Sequence, residues 1–298
     1  MSSLTAIPLV SRLSSRVIRI LGCNPSPMTL QGTNTYVVGT GPRRILIDAG
    51  DNFTATEYTK LLGDVLASEK ATLVHLLLTH WHHDHIGGVS AVNDLIETKK
   101  LSKNFMKVWK LPRSKDDQDI SEDERLVKWE PMENGQSFEV EGATLTVKST
   151  PGHTTDHACL KLEEENALFS GDCILGEGTA VFEDLHDYMI SLNEILEIGP
   201  EVIYPGHGPV IGEPIPRIKY YISHRQQREM QILKALEEHG TGKPISEMDI
   251  VRHVYKVNIS DTPENLWLPA AENVNHHLKK LRKERKVQGD TGAWLISV

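Results

Sequence analysis

The chain has 298 residues, 39% of them hydrophobic, which is enough for one large domain with a core of its own and one small domain. A chain of this length needs neither disulfides nor a metal ion merely to fold. Its cysteines, Cys23, Cys159 and Cys173, form no CxxC pair, which argues against a cysteine zinc site and for a reducing compartment. No apolar run approaches the roughly 20 residues of a transmembrane helix, so we expect no membrane span.

The net charge of −9 is unevenly distributed. From Arg217 onward, 14 Lys and Arg stand against 10 Asp and Glu, so this part carries +4 and the remainder −13. The acidic part includes the run Asp116–Glu124, which we expect to be a solvated loop. A basic C-terminal segment on an acidic body indicates where a polyanion would bind, although the imbalance is modest.

The N-terminal segment carries Arg12, Arg16 and Arg19, several serines, and no acidic residue before Asp48. That composition fits an organelle transit peptide. The alternative is that SRVIRIL is simply the first strand of the fold. We predict a strand over residues 16–21 and leave targeting open.

Residues 16–216 alternate between strand patterns and helix patterns. The predicted strands beyond residue 21 are TNTYVVG, RRILIDAG, TLVHLLL, FMKVWKL, ATLTVKST, HACLKLE, NALFSGD and EVIYPG. The predicted helices are residues 54–68, residues 89–97 and the segment YMISLNEIL. This alternation predicts a layered α/β fold in which two sheets have helices outside them.

The pattern changes after Pro216, where residues 217–240 predict one long helix followed by the linker GTGKP. Residues 244–298 predict a compact unit that begins with a capping box between Ser246 and Asp249. Its amphipathic helix is predicted over Ala270–Lys286, and KVQGDTGAWLISV predicts a hairpin. Helices followed by a hairpin indicate a small winged-helix domain. The predicted division of the chain is therefore residues 1–216, 217–243 and 244–298.

The stretch LLLTHWHHDHIGG places four histidines and one aspartate within six residues, directly after a buried strand. His80 and His82 point the same way on an extended strand end, and His85 follows Asp84 where the chain turns toward a helix. One segment can therefore offer ligands to two neighbouring points. Imidazole and carboxylate ligands suit Zn²⁺, and also iron or manganese. We expect His83 to be a bystander and Trp81, like Cys159 and Cys173, to be a packing residue.

Four further ligand candidates lie in strand–glycine turns, namely Asp48 in LIDAG, His153 in TPGHT, Asp172 in FSGDC and His207 in YPGHG. Each alone could be an ordinary turn aspartate or a surface histidine. Their repetition at strand ends, where α/β proteins place their sites, indicates a metal centre.

The motif THWHHDH resembles the THxHxDH motif of the metallo-β-lactamase superfamily, and the four turn residues match that family's other motifs in order. The resemblance covers residues 16–216 and implies a four-layer αββα sandwich with two metal ions at one edge. It implies that the ligands divide as follows: His80, His82 and His153 for one zinc, Asp84, His85 and His207 for the second, Asp172 bridging both, and Asp48 orienting a ligand from outside. Mn²⁺ could replace Zn²⁺ on such ligands.

Two Zn²⁺ ions, two carboxylates and a bridging hydroxide together keep about one positive charge, which favours an anionic substrate oxygen. Three functions are then open: an endoribonuclease, a thioesterase like hydroxyacylglutathione hydrolase, or a metal-stabilised scaffold that binds RNA or protein. The complete set of seven ligand positions argues against the scaffold. The context PGHGP around His207 and the C-terminal unit both differ from hydroxyacylglutathione hydrolases.

The phrases LGCNPSPMTLQGTNTYVVGTG, SGDCILGEGT, DLHDYMISL, YPGHGPVI and YISHR resemble the β-lactamase-like protein 2 group of the same superfamily. That resemblance implies an endoribonuclease of the mitochondrial matrix, with the cytosol as the alternative, that cleaves single-stranded RNA through a zinc-bridging hydroxide. We expect a monomer or weak oligomer without an evident protein partner.

Further roles are expected for residues around this site. Asp84 or Asp172 would accept the proton of the attacking hydroxide, and Tyr188 or His224 would protonate the leaving ribose oxygen. The alternatives are that Tyr188 packs within its helix and that His224 lies on a helix surface. Thr33 and Asn34 would line the cleft mouth or form an ordinary β-turn. The helix face of Lys279, Lys283 and Lys286 would hold RNA phosphates, unless it is only a solvated face.

Overall fold

The computed structural model describes residues 4–98, 106–114, 117, 122–240, 242–255 and 267–297. In this part of the chain the first sheet has the order β1 to β7: Val10–Arg12, Val17–Leu21, Asn34–Val38, Arg43–Ile47, Thr72–Leu78, Lys107–Lys110 and Glu130–Pro131. The second sheet runs from β12 back to β8, which are Val202–Pro205 (β12), Ala167–Gly171 (β11), Ala158–Leu162 (β10), Ala143–Ser149 (β9) and Ser137–Val140 (β8).

The described residues form eight α-helices. They are α1 Ala55–Ser68, α2 His83–Ile86, α3 Val89–Thr98, α4 Glu122–Leu126, α5 Leu185–Ile198, α6 Pro214–His239, α7 Glu247–Tyr255 and α8 Trp267–Lys283. A hairpin of β13 Val287–Asp290 and β14 Ala293–Ile296 follows α8. None of these helices is long and apolar enough to cross a membrane.

The two large sheets bury their facing sides against each other, with Tyr36 of the first sheet in edge contact with Phe169 of the second. Helices α1 and α3 cover the outer side of the first sheet, and α5 and α6 cover that of the second. The central strands, such as β2, β3 and β11, thus have buried residues on both faces, which explains the nearly continuous hydrophobic runs in the sequence. The predicted four-layer αββα sandwich is confirmed.

The predicted strand at residues 16–21 is confirmed as β2, in which all five residues are buried. Three short strands were not predicted, namely β1, β7 and β8, because two to four residues carry too little periodicity to be recognised. Helix α6 begins at Pro214, earlier than predicted, since a proline in the first turn needs no amide hydrogen bond.

The acidic run Asp116–Glu124 is not simply a solvated loop. Residues 116 and 118–121 lie outside the described residues, but Glu124 is buried, with Oε1 3.0 Å from the Nζ of buried Lys110. A tertiary contact therefore removes from water a carboxylate that the sequence pattern assigned to the surface.

The C-terminal unit packs around Trp294, whose side chain is fully buried and whose Nε1 donates to Glu247 at 2.8 Å. The Ser246 hydroxyl and the Asp249 backbone amide make the predicted cap, at 3.2 Å. Helix α8 is shifted toward the N-terminus relative to the prediction because Arg285 has a left-handed φ of 61°, which ends the helix and turns the chain into β13. Helices followed by a hairpin confirm the winged-helix architecture.

Candidate metal centre

The candidate ligands all follow strand ends at one edge of the sandwich. Asp48 follows β4, the histidine segment follows β5, and the loops after β9, β11 and β12 carry His153, Asp172 and His207. Strands β4 and β5 are parallel, as are β11 and β12, so their carboxyl ends meet at the same side. The topology brings together residues that lie up to 159 positions apart in the sequence.

The first cluster consists of His80, His82 and His153. His80 Nε2 lies 2.9 Å from His82 Nδ1, and His153 Nε2 lies 3.2 Å and 3.1 Å from these two atoms. A tetrahedral ion with bonds of ~2.05 Å separates its ligand atoms by about 3.3 Å. Three ring nitrogens that converge in this way can therefore hold one zinc-sized ion.

The second cluster consists of Asp84, His85 and His207. Asp84 Oδ2 lies 3.3 Å from His85 Nε2 and 3.2 Å from His207 Nε2. Asp172 connects the two clusters, because its Oδ2 lies 3.2 Å from His207 Nε2 and 3.7 Å from His153 Nε2. All seven predicted ligands are thus brought together in two adjoining groups.

The donor atoms of this centre fit metal ions better than they satisfy one another. Among the described residues, buried His85 Nε2 and Asp172 Oδ1 make no hydrogen bond of adequate geometry, although they lie 3.5 Å apart. Buried polar atoms are normally paired, so such exceptions indicate a missing ligand. The chemistry of the set, five imidazoles and two carboxylates, is that of zinc or a similar divalent ion.

Charge at the centre is divided between the clusters. Burial lowers the pKa of His80 and His153, and it lowers the pKa of His82 to about 3, so the first cluster is neutral. Burial alone would raise the pKa of Asp172, but His207 and His85 hold it well below its usual range. Burial opposes charge on His207 as well, yet Asp172 raises the pKa of His207 to about 9. A bound cation would displace that proton.

Asp48 lies behind the ligands, on the side away from the cleft, where its predicted orienting role requires it. Its Oδ2 accepts from His85 Nδ1 at 2.7 Å, and its Oδ1 accepts from the backbone amide of Thr79 at 2.8 Å. The Thr79 hydroxyl also donates to Asp48 and lies 3.0 Å from His80 Nδ1. One carboxylate therefore fixes a histidine of each cluster through its nitrogen remote from the site.

The expectation that Thr33 and Asn34 line the cleft mouth is wrong, since both side chains are buried. The Thr33 hydroxyl donates to Asp84 Oδ2 at 2.9 Å. Asn34 Nδ2 donates to the carbonyls of Pro205 and Gly208, on either side of His207. Thr33 therefore fixes the ligand Asp84, and Asn34 fixes the turn that carries the ligand His207.

His157 is a positioning residue that the sequence patterns did not reveal. It is fully buried beneath the first cluster, its Nε2 accepts from the Asp172 amide at 3.1 Å, and its Nδ1 donates to the Thr150 hydroxyl at 2.8 Å. The sequence GHTTDH, in which His157 follows His153 by four residues, could have suggested it, but a histidine beside a strand pattern is usually a core residue.

The two candidate proton donors are not brought to the site. Tyr188 is fully buried, and its hydroxyl donates to the Cys173 carbonyl at 2.5 Å. Burial raises the pKa of Tyr188 well above its usual value, so this hydroxyl serves packing rather than proton transfer. His224 is exposed on α6 beside Tyr220. Its burial and its hydrogen bond to the Cys173 carbonyl argue against the predicted catalytic role of Tyr188.

The centre opens to solvent through a cleft of about 510 Å³. Its floor is formed by ligands of both clusters, and its rim by the loop between β2 and β3, including Met28, and by Val181. Both rim side chains are more than half exposed. An open cleft with apolar walls and a charged floor suits a substrate that carries its anionic group on a larger body.

The predicted basic face on α8 is only partly available. Lys279 is exposed, but Lys283 Nζ lies 2.6 Å from Asp184 and Lys286 Nζ lies 2.7 Å from Glu284. Lys280 is buried between Glu229 and Glu284. Two of the three predicted RNA-binding lysines thus have acidic partners within the protein.

Comparison with known proteins places this geometry in a family. Residues 28–207 match the metallo-β-lactamase superfamily, and residues 246–294 match the β-lactamase-associated winged helix domain. Two relatives named beta-lactamase-like protein 2 homolog are similar over nearly the whole chain. The one from Drosophila melanogaster is 55% identical over 95% of this chain and 93% of its own. The one from Caenorhabditis elegans is 45% identical over 99% and 95%.

Solved structures share the fold. A β-lactamase domain protein from Burkholderia ambifaria superposes with a TM-score of 0.75 at 18% identity, over 97% of this chain and 93% of its own. A metallo-β-lactamase family protein from Thermus thermophilus gives 0.67 at 20% identity, over 96% and 100%. The family matches, the relatives and the ligand geometry agree: the chain belongs to the metallo-β-lactamase superfamily of hydrolases.

Proposed function

We propose that the protein is a metal-dependent endoribonuclease that hydrolyses phosphodiester bonds of single-stranded RNA. The observation that carries the proposal is the meeting of the two ligand clusters at Asp172, on the floor of an open cleft. Such a floor suits a phosphodiester, which brings anionic oxygen to the reacting bond. The choice of RNA rests on the sequence resemblance to the β-lactamase-like protein 2 group.

Two metal ions bound here would supply activated water and a site for anionic oxygen. The protein's own contribution begins with Asp84 and Asp172, whose pKa values lie below the usual range despite the burial that opposes this. Both carboxylates are therefore ionised at neutral pH and can hold a ligand or accept a proton. Thr33 fixes Asp84 Oδ2 by donating a hydrogen bond to it, so this carboxylate is held in one orientation.

Single-stranded RNA fits the cleft better than a duplex does. Its bases can separate and lie against apolar side chains, and the rim presents exposed Met28 and Val181, with Phe53 91% exposed on the turn that follows the cleft residue Asp51. We propose the mitochondrial matrix as the location, from the same resemblance, with the cytosol as the alternative.

A thioesterase is the second candidate, and a specific observation favours it. An Aspergillus fumigatus protein named atrochrysone carboxyl ACP thioesterase is 34% identical over 99% of this chain and 91% of its own. Water activated at the same centre could attack the thioester carbonyl and release the thiol, and the apolar rim could hold an acyl chain. The two candidates therefore differ in substrate rather than in the reacting groups.

A paired assay decides between them. Purified protein loaded with zinc should cleave a single-stranded RNA and leave a glutathione thioester nearly intact, and a chelator should abolish cleavage because the hydrolytic water needs the metal. Readdition of Zn²⁺ or Mn²⁺ should restore it. Thioester turnover without RNA cleavage would reject the endoribonuclease and favour the second candidate.

The basic face of α8 predicts a salt-sensitive contribution to RNA binding. Reversal of Lys279 and Lys286 to Glu should weaken RNA binding at low salt by about 10-fold or more, and it should flatten the dependence of affinity on salt, because each phosphate contact releases counterions. Fluorescence anisotropy with a labelled single strand measures both. Lys279→Glu alone and Lys283→Met are tested separately, since Lys286 pairs with Glu284 and Lys283 pairs with Asp184. If the affinity for RNA and its dependence on salt concentration are unchanged in the double variant, this face of α8 does not bind RNA.

A further inference from the structure

The segment 180–184, here called the bracket loop, is fastened to the turn that carries the ligand His153. The carbonyl of Val181 accepts from His153 Nδ1 at 2.8 Å. The amides of Glu183 and Asp184 both donate to the Gly152 carbonyl, at 2.8 Å and 3.0 Å. This arrangement leaves His153 Nε2 free to face the first cluster. The bracket loop therefore sets both the tautomer and the ring orientation of one metal ligand.

The glycine in this turn shows how tightly the parts fit. A Cβ on Gly152 would lie 2.3 Å from the backbone nitrogen and Cα of Tyr188, so only glycine allows the turn to rest on the start of α5. Because the turn packs tightly against the start of α5, it leaves no space in which a small movement of the bracket loop could be accommodated. Such a movement would therefore displace the ring of His153.

The outer side of the bracket loop is held by one aromatic side chain, Phe182. Its ring stacks on Tyr188 with centroids 5.4 Å apart, and the guanidinium of Arg225 lies 5.5 Å from its centroid. Arg225 is buried on α6 and also donates to the Ala180 carbonyl at 3.4 Å. Stacked rings and a desolvated guanidinium hold a side chain in one place more firmly than a solvated ion pair does.

The C-terminal unit completes this pocket for Phe182. His276 of α8 meets the Phe182 ring edge to face, with centroids 5.4 Å apart. Lys283 of the same helix pairs with Asp184 at the end of the bracket loop, at 2.6 Å. The ion pair is about half exposed, so water weakens it and the aromatic contact is the stronger of the two.

We propose that the winged-helix unit, through Phe182, is a positioning element of the first metal cluster. Phe182 is a positioning residue: it touches neither metal nor substrate, and it acts on His153 through the Val181 carbonyl. The inference rests on the metal centre and not on the choice of RNA as substrate. It gives the C-terminal unit a role in metal retention in addition to any role in binding nucleic acid.

The test is metal retention by the full-length protein. Phe182→Ala should lower the affinity of the first cluster for metal by about 10-fold, the lower end of the loss seen when a group that hydrogen-bonds a metal ligand directly is removed. The cobalt-substituted protein reports this as faster loss of its visible absorption to a chelator and as a changed band shape. Phe182→Tyr, which keeps the ring, should retain both properties. Tyr220→Ala is the matched control, an aromatic truncation on the exposed side of α6.

A second variant keeps the proposal open to rejection if Phe182→Ala does not fold. His276→Ala removes a contact that only the C-terminal unit supplies, and it should also speed metal loss, though less than Phe182→Ala. The melting temperature of the metal-free variants separates retention from general stability. Folded Phe182→Ala and His276→Ala proteins with wild-type retention and band shape would overturn the proposal. Because no substrate is used, that result is distinguishable from a failure to cleave RNA.

Discussion

Asp84→Ala is expected to lower kcat/KM for the hydrolysed substrate by at least about 100-fold, since even residues that only orient metal ligands contribute 10- to 100-fold. Asp84 is the carboxylate between His85 and His207, at 3.3 Å and 3.2 Å from their Nε2 atoms. Without it, the second cluster keeps two histidines and the shared Asp172. The fold should remain intact, because Asp84 lies in the four-residue helix α2 at the open edge of the sandwich.

Steady-state kinetics and metal content measured on the same preparation check this prediction. The variant should bind one metal ion in place of two. His83→Ala is the matched control, since His83 is the next residue, its side chain is 64% exposed, and it belongs to neither cluster. Near-normal turnover with two bound ions in Asp84→Ala would contradict the assignment of the second cluster.

Lys110→Met is expected to reduce the free energy of unfolding by about 3–5 kcal/mol, because it leaves the buried carboxylate of Asp156 without its cation. Lys110 is fully buried, with Nζ 2.5 Å from Asp156 Oδ2 and 3.0 Å from Glu124 Oε1. Burial already raises the pKa of Asp156. Loss of Lys110 would raise that pKa further above its unfolded value, so the variant should lose more stability as the pH rises.

Urea unfolding at two pH values measures both effects. Lys107→Met is the control on the same strand, because Lys107 pairs with Glu130 at 3.2 Å with both side chains about half exposed, and its loss should cost at most about 1 kcal/mol. Adding Asp156→Asn to Lys110→Met should recover part of the loss, since it removes one unpaired charge. Equal stabilities for the two single methionine variants would show that the buried network adds nothing.

Much of the site was predictable because each ligand sits in a local pattern. A strand that ends in glycine, histidine or aspartate can be recognised from a few consecutive residues. Five such strand ends can be identified in the sequence without knowledge of their positions in the fold. Their division into two clusters is not local information. It came from family resemblance and now has a geometric counterpart in the contacts of Asp172 with His153 and His207.

The residues that the sequence misassigned depend on partners outside their own helix or strand. Thr33 lies 51 residues from Asp84, and Asn34 lies 171 residues from Pro205. Tyr188 falls in a helix whose buried face could equally have lined the cleft. Glu124 is polar in a polar segment, yet it is buried against Lys110. No periodicity encodes such pairs, because a side chain's surroundings are set by whichever element packs over it.

The sequence by itself determined the layered α/β architecture, the long helix with its winged-helix unit, and a set of candidate metal ligands at strand ends. These follow from local periodicity and from short motifs at strand ends. Only the tertiary structure decided which atoms face one another: the convergence of the ligand nitrogens, the burial of Tyr188, the pairing of Lys283 with Asp184, and the contact of Phe182 with His276. The physical reason is that the local sequence fixes which side chains each segment carries. The packing of distant segments fixes the distances between those side chains, their burial and their charge.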